Sequence, residues 1–374
     1  MLKKISVATL ALILYLSPTT TYANEPRPLT LQQAQNRAIN NSSALASMGE
    51  NIEISRDELE RNQDRFPGSQ GGFIGIINWQ SGLMLQQASI AASVNNIPAQ
   101  HYTLGFIVAI HFTNIFTLEQ SLILFDKQLD LQYTNFNITR VQHELNMVSE
   151  LDYLLATLAY NEMLINRQNI EASITQAHRE LNRLIGVDEN IIHELIWETS
   201  YEVMPNIVNF TGRLNHQRQN HINVRQALDM QRVAQFNLDN HMTPFDPITG
   251  TPMPGGFDPE SGTMVPTRAQ REIELNNASR RVSEERDRIT RHIQDTYSNI
   301  RLLEHNIQTA HMELEEAYRN LEIATLQLEL GMITPVTLNS LNLQIAHAKE
   351  QIRQQELNHL LLVMQFQNPN ILVF

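Results

Sequence analysis

Two stretches of this chain carry the same pattern: Tyr133-x10-Glu144-Leu145-Asn146-Met147-Val148-Ser149 and Tyr318-x10-Glu329-Leu330-Gly331-Met332-Ile333-Thr334. Every shared position is displaced by the same amount, as from Tyr133 to Tyr318 and from Glu144 to Glu329. A constant offset through long helical sequence indicates a duplicated unit. We therefore predict two tandem repeats, residues 24–205 and 206–374, preceded by a separate segment at 1–23.

The segment at 1–23 has the composition of a targeting sequence. Lys3 and Lys4 precede a mainly apolar run at 5–16, and the small residue Ala23 follows. This order is typical of a secretory signal peptide, so we expect cleavage after Ala23 and export of the protein. An uncleaved anchor is the alternative. Beyond this segment we find no uninterrupted apolar run as long as a membrane-spanning helix.

Composition narrows the classes of function. Removal of the two lysines would take the net charge from −13 to −15, because the segment at 1–23 contains no acid. Such an acidic exported protein is unsuited to binding nucleic acid. The chain has no cysteine, and its 13 histidines lack the three- or four-residue spacing that places two ligands on one helix face. No catalytic or nucleotide-binding motif occurs. We therefore expect no enzyme activity, cofactor or metal site.

The distribution of glycine and proline predicts very long helices. The stretches 106–185 and 267–330 contain neither of them. At about 1.5 Å per residue, the second stretch would extend about 100 Å as a helix. Apolar residues step by three and four from Val148 to Leu158 and from Ile170 to Leu184, the spacing of a coiled-coil face. We predict a mainly α fold of long antiparallel coiled-coil hairpins.

The duplicated pattern itself predicts a tight turn between two helices. Asn146 and Gly331 are residue types that tolerate the left-handed conformation that ends a helix. Ser149 and Thr334 suit the N-cap of the next helix, and Pro335 suits its first position. For the first copy, an unbroken helix through Asn146 is the alternative.

Two inserts interrupt the helical pattern. In the Gly-rich insert at 66–112, the segments 72–79 and 102–112 are rich in β-forming residues and predict strands. The insert at 241–266 contains six prolines and a tandem Asp-Pro-x-[Ser/Thr]-Gly, which indicates turns. A calcium loop is the alternative there, although the spacing matches no EF-hand. The second insert has little room for a pair of long strands, so any β-barrel built from both inserts is reduced or uncertain.

Motifs in both repeats resemble those of the TolC family of outer-membrane efflux ducts. They are the opening Leu29–Ala34, its second-repeat counterpart His221–Ala227, the segment Tyr102–Phe106, the repeat terminus Leu181–Gly186 and the turn Leu330–Thr334. The motifs occur in the family's order and, together with the duplication, they extend over nearly the whole mature chain. The resemblance implies a homotrimer in which the helices form a periplasmic tunnel, an α-barrel, below an outer-membrane β-barrel.

The resemblance also implies roles for particular residues. The helical turns would form the periplasmic tip, where an adaptor protein docks: Glu144, Leu145, Asn146, Met147, Val148, Ser149, Leu330, Gly331, Met332, Ile333 and Thr334. Asp152, Thr337 and Ser340 stand where the family's tunnel constriction would lie, but only Asp152 is acidic. For Asp152, a solvated acid favoured by the helix dipole is an equal alternative.

Two functions follow from these observations. The first is a channel subunit of the outer membrane and periplasm that conducts efflux or secretion substrates with an adaptor and an inner-membrane transporter. The second is an exported helical scaffold of the same ancestry that lacks a membrane pore, and the Pro-rich insert motivates it.

Overall fold

The computed structural model describes residues 27–66, 72–197, 201–245, 249–253, 257–258 and 263–371. The first repeat contains β1 (Arg27–Thr30), α1 (Leu31–Asn41), α2 (Ser43–Asp64), α3 (Gly72–Glu144), α4 (Glu150–Ile185) and β2 (His193–Ile196). The second contains α5 (Phe210–Asn220), α6 (Ile222–Asp239), β3 (Phe257–Asp258), β4 (Thr263–Met264), α7 (Arg268–Glu329) and α8 (Pro335–Gln367). The expected signal peptide lies outside the described residues, and the boundary at 205/206 stays a prediction.

Two long helical hairpins dominate the structure. In the first, α3 (73 residues) packs against α4, and in the second, α7 (62 residues) packs against α8. At about 1.5 Å per residue, α3 is about 110 Å long and α7 about 93 Å. The helices before the two turns end at Glu144 and Glu329, and those after them begin at Glu150 and Pro335, which confirms the predicted offset and the mainly α hairpin fold.

The four long helices lie side by side as a strip. Helix α3 contacts both α4 and α8, and α8 contacts α7, so the lateral order is α4–α3–α8–α7. The shorter helices pack along these long helices: α1 contacts α3 and α4, α2 contacts α3, α5 contacts α7, and α6 contacts both α3 and α7. Helices α4 and α7 are therefore the two outer members of the strip.

Each repeat has its own apolar core. The first is centred on Phe112, Ile115 and Leu181, all fully buried where α1, α3 and α4 meet. Parallel pairing of β1 with β2 brings the start of the described chain to the end of α4. The second core includes Ile300 of α7 and Phe366 of α8. Each fully buried side chain of this size contributes about 1.5–3 kcal/mol to folding.

The strands predicted in the first insert are wrong, because 72–79 and 102–112 both lie in α3. The burial pattern gives the physical reason. Ala99, Thr103, Phe106, Ala109 and Thr113 are buried and step by three and four, the period of a helix. The preference of isolated residues for strands depends strongly on context. Here packing against the neighbouring helices stabilises the helix, although each glycine in a helix interior lowers its stability by about 1 kcal/mol relative to alanine.

Contacts with α2 stabilise the first part of α3. The indole Nε1–H of Trp79 donates to the carbonyl of Asn62 at 2.9 Å, and the Asn62 amide donates to Gln86 at 3.1 Å. Phe66 packs edge-to-face on Trp79. Because the stretch from Gly72 to Leu118 contains no Asp, Glu, Lys or Arg, this part of α3 contributes no such charged side chain to the contact with α2.

Helix α3 also corrects the expectation about apolar segments. Within the described residues it is the one helix long and apolar enough to cross a membrane by length and composition, with an 18-residue window of mean hydropathy 1.4. Polar residues interrupt this window, so no continuous apolar run marks it in the sequence. Its mean hydropathy is nevertheless high, because the apolar residues outweigh the polar ones along it.

The second insert has the turn-rich character expected from its sequence. Strands β3 and β4 form an antiparallel pair of two residues each, and Phe245 forms an isolated bridge with Pro252. Other parts of 241–266 lie outside the described residues. The two inserts thus differ in kind: the first is largely helical, and the described part of the second contains short β pairs.

Candidate functional site: the two hairpin tips

The first tip ends α3 with a left-handed residue, as predicted. Asn146 has φ +55°. Its N–H donates to the carbonyl of His143 at 2.9 Å, and the N–H of Met147 donates to that of Gln142 at 2.7 Å. This pair of bonds is the Schellman arrangement, which satisfies carbonyls that the end of a helix leaves free. The alternative of an unbroken helix through Asn146 is therefore wrong.

The second tip repeats this geometry. Gly331 has φ +70°. Its N–H donates to the carbonyl of Leu328 at 2.9 Å, and the N–H of Met332 donates to that of Gln327 at 2.8 Å. Thr334 caps α8, and Pro335 occupies its first turn. Both predicted turns are thus confirmed, down to the matching hydrogen bonds.

Asp152 acts as part of the cap of α4. The Ser149 hydroxyl accepts from the Asp152 N–H at 3.2 Å, and the Asp152 carboxylate accepts from the Ser149 hydroxyl at 2.7 Å and from its N–H at 3.2 Å. The hydrogen bond from the Ser149 hydroxyl, and to a lesser extent the one from the Ser149 N–H, lowers the pKa of Asp152 below its ordinary value. The arrangement is a capping box, which supports the interpretation of Asp152 as a first-turn acid.

The other two constriction candidates are neutral. Thr337 has the same place in α8 as Asp152 has in α4, and its hydroxyl lies 3.0 Å from that of Thr334. Ser340 lies one turn further along. A constriction at these three residues stays a prediction.

Each tip exposes large apolar side chains to water. The exposed fractions are 64% for Leu145, 68% for Met147, 75% for Leu330 and 68% for Met332. Val148 and Ile333 are half-buried behind them. Clustered exposed apolar residues commonly mark an interaction surface, and methionine adapts readily to the shape of a partner.

The helices behind the first tip carry an aromatic stack that the sequence analysis did not predict. The His143 ring stacks on Tyr153 at 4.8 Å between centroids, and its Nε2 lies 2.8 Å from the Glu150 carboxylate. Phe136 stacks on Tyr153 and Tyr160. The aromatic spacing along α3 and α4 is visible in the sequence, but which rings meet depends on the hairpin register.

The second hairpin lacks this stack. The positions that correspond to His143, Glu150 and Tyr153 under the repeat offset are Leu328, Pro335 and Leu338. The turns are therefore alike in backbone geometry, whereas the surfaces beside them differ in chemistry.

The outer members of the strip also carry exposed apolar side chains. On α4 the residues that are more than half exposed include Leu151, Leu154, Leu155, Leu158 and Ile165. On α7 they include Leu302, Met312, Ile323 and Leu326. Several of the α4 residues belong to the coiled-coil spacing seen in the sequence, although no helix within the described protomer covers them. Among the described residues there is no group of three His, Asp or Glu side chains arranged to hold a metal.

Solved structures show where this arrangement is found. The CmeC outer-membrane channel of Campylobacter jejuni superposes with a TM-score of 0.63 at 11% identity, covering 90% of this chain and 85% of that one. The open-state MtrE outer-membrane channel of Neisseria gonorrhoeae gives 0.61 at 15%, covering 90% and 88%. This chain has the fold of an outer-membrane channel.

The channel fold extends over the length of both proteins in each comparison. The outer-membrane protein VceC of Vibrio cholerae gives a TM-score of 0.58 at 12% identity, covering 90% of this chain and 96% of that one. No protein-family model matches the chain, and no curated protein is significantly similar in sequence. The TolC-like fold expected from the motifs is confirmed by structure.

Proposed function

We propose that this chain is the subunit of a homotrimeric duct at the outer membrane and in the periplasm. The duct passes efflux or secretion substrates out of the cell, receives them from an inner-membrane transporter and is not an enzyme. The observation that carries the proposal is the strip α4–α3–α8–α7 with exposed apolar residues on both outer helices. A strip with two different unpaired edges associates head to tail, and such contacts generate a ring when the rotation closes.

The edge contact is directly testable, because the chain contains no cysteine. Leu155 lies near the start of α4, and Ile323 lies at a similar distance from the end of α7. Their similar height above the tips makes them candidates to meet between neighbouring copies. We expect the double variant Leu155→Cys/Ile323→Cys to give covalent trimers on mild oxidation.

Two control variants sharpen this test. Leu155→Cys paired with Leu302→Cys places the second thiol on the same helix but about 30 Å further from the tip, and it should give little cross-linking. Leu155→Cys alone should give no covalent trimer on denaturing gels. Equal cross-linking in all three would indicate non-specific collision and argue against the ring.

We propose that the two tips bind a periplasmic adaptor through their exposed apolar residues. The double variants Leu145→Ser/Met147→Ser and Leu330→Ser/Met332→Ser should reduce site-specific cross-linking to the adaptor while cysteine-linked trimers still form. Ile54→Ser is the matched control, because Ile54 is also 56% exposed but lies on α2. Loss of adaptor cross-linking in the control as well would indicate general damage to the surface.

A scaffold without a pore is the second candidate, and the helical conformation of 72–112 favours it. Conductance of the purified protein in planar bilayers distinguishes the two functions, together with fractionation of the cell envelope. Trimers that open ion-conducting pores support the duct. Soluble trimers without conductance and without an outer-membrane fraction support the scaffold.

A further inference from the structure

The two lysines that follow Ala23 in the sequence line one groove. They are Lys127 of α3 and Lys349 of α8, and all other cationic side chains after Ala23, histidines aside, are arginines. The groove has a volume of about 440 Å³ and lies among α3, α7 and α8. The duplication does not generate this pair, because the positions related to the lysines by the repeat offset are Met312 and Leu164.

Both ammonium groups are available to a ligand. No ion pair in the described part of the chain involves either lysine. The Lys349 Nζ lies 5.0 Å from the centroid of the Tyr318 ring, a cation–π contact. This contact holds the charge in place on one side and leaves N–H donors for an acceptor.

The other polar groups of the groove define what can bind. Asp130 is the one acid in its lining, so the two lysines leave a net charge of one positive unit. Nearby Asp126 is already paired with Arg167 at 2.6 Å. Asn339 of the lining adds an amide donor. In a chain of net charge −13, this is a local site of the opposite sign.

Part of the remaining wall of the groove is apolar, beside the polar side chains of Thr134 and Asn342. Leu131, Leu343, Ile345 and Ala346 form the apolar part, and Ile345 is buried. Ligand sites commonly combine such a wall with a few convergent polar groups, at volumes of roughly 300–1,000 Å³. An anionic head at the lysines and a short hydrocarbon body on this wall match the lining.

We propose that the groove binds an amphipathic organic anion, with a carboxylate or phosphate head between Lys127 and Lys349. The head accepts hydrogen bonds from both ammonium groups, and the hydrocarbon chain packs on Leu131 and Leu343. This site does not depend on the chain being a duct, since it lies within one protomer.

The scarcity of lysine makes a clean test. Acetic anhydride acetylates free amines, and mass spectrometry of peptides from the mature protein reports Lys127 and Lys349 separately. Hexyl phosphate and hexanoate should each slow acetylation of both lysines, by about tenfold for an anion that contacts both charges. Hexanol, which lacks the charge, should not protect.

Variants distinguish binding at the groove from general effects of the additives. Lys349→Gln should abolish the protection of Lys127, whereas Arg140→Gln, which removes an exposed positive charge from the same helix as Lys127, should preserve it. Equal protection by hexanol, or no protection by either anion, would overturn the proposal. If inorganic phosphate protects as strongly as hexyl phosphate, the groove does not bind the hydrocarbon chain, and the proposal of an amphipathic ligand is wrong.

Discussion

The two repeats coincide at one end and diverge at the other. At the tips, the turn residues, the hydrogen bonds and the first residues of the next helices match at one constant offset. Away from the tips, α3 begins at Gly72, directly after a short connection from α2, whereas α7 begins at Arg268, after a turn-rich insert. Local chemistry determines the tips, while longer-range packing determines the opposite ends.

The two repeats also differ in their interior, at two glutamates that occupy the same position in each repeat. Glu119 of α3 and Glu304 of α7 are related by the repeat offset, and each faces a buried histidine on the following helix. Glu119 lies 3.5 Å from His178, and its side chain is one-third exposed. Glu304 is buried and lies 3.1 Å from His359.

The connection between the repeats explains the deeper burial of Glu304. The N–H of Met204 donates to its carboxylate at 2.6 Å, and Arg301 donates to the other oxygen at 2.7 Å. Arg301 also donates to the carbonyl of Met204. Burial opposes ionisation of this group, but the bonds from Met204, Arg301 and His359 outweigh it and lower the pKa of Glu304. The same repeat position thus became a polar anchor for the connecting segment in only one copy.

The largest contrast is expected for removal of these two charges. Glu304→Gln leaves Arg301 without its ionic partner in a partly buried site, so it should lower the free energy of unfolding by about 2–4 kcal/mol. Glu119→Gln should cost less than about 1 kcal/mol, because the Glu119 carboxylate is one-third exposed and water already screens its charge. Chemical denaturation followed by circular dichroism measures both. Similar losses in the two variants would contradict the anchoring role of Glu304.

A smaller contrast is expected at the tips. Gly331→Ala introduces a Cβ at φ +70° with no atom beyond the adjacent residues within 4 Å, so its cost is backbone strain alone. We expect a loss of about 1 kcal/mol. Asn146→Gly should be neutral within about 0.5 kcal/mol, because Asn146 already adopts this conformation and Gly relieves its strain. Thermal unfolding of the two variants tests the equivalence of the turns. A stabilising Gly331→Ala would contradict it.

The smallest contrast concerns the caps of the short helices. Thr30 caps α1 with a hydroxyl that accepts the Gln33 N–H at 3.2 Å, whereas His221 caps α6 by accepting the Asn223 N–H at Nδ1, 3.2 Å away. The Nε2–H of His221 donates to the carbonyl of Pro369 at 3.1 Å. Burial lowers the pKa of His221 below its ordinary 6.5, so the neutral form is the one that the fold stabilises.

The direction of the pH effect follows from this shift. Because the unfolded chain binds the proton more readily, the contribution of His221 is complete above pH 6.5 and is lost as the pH falls through 6.5 towards the lower folded pKa. Melting temperatures between about pH 7.5 and 5.5 should therefore fall more in the wild-type protein than in His221→Asn, which keeps a capping side chain. His216→Asn, at an exposed histidine, should behave as wild type. An unchanged pH dependence in His221→Asn would exclude this role.

Sequence reasoning succeeded where structure follows from neighbouring residues. Asn146, Gly331, Ser149 and Thr334 predicted the turns and caps, because left-handed backbone and N-cap hydrogen bonds are properties of residue type. It failed at 72–79 and 102–112, where the β-forming residues do not reveal what they pack against. It also missed the aromatic stack beside His143 and the groove that both Lys127 and Lys349 line, because each brings together residues from different helices.

The sequence by itself determined the duplication, the extent of α7 and the position of the tips. These depend on periodicity and on turn chemistry within a few residues. Only the tertiary structure decided that the first insert is helical, that α4 and α7 are the free edges of the strip and that Glu304 holds the connection between the repeats. Each of these features depends on contacts between segments that are far apart in the chain. The burial of apolar surface in those contacts outweighs the preference of the individual residues for helix or strand.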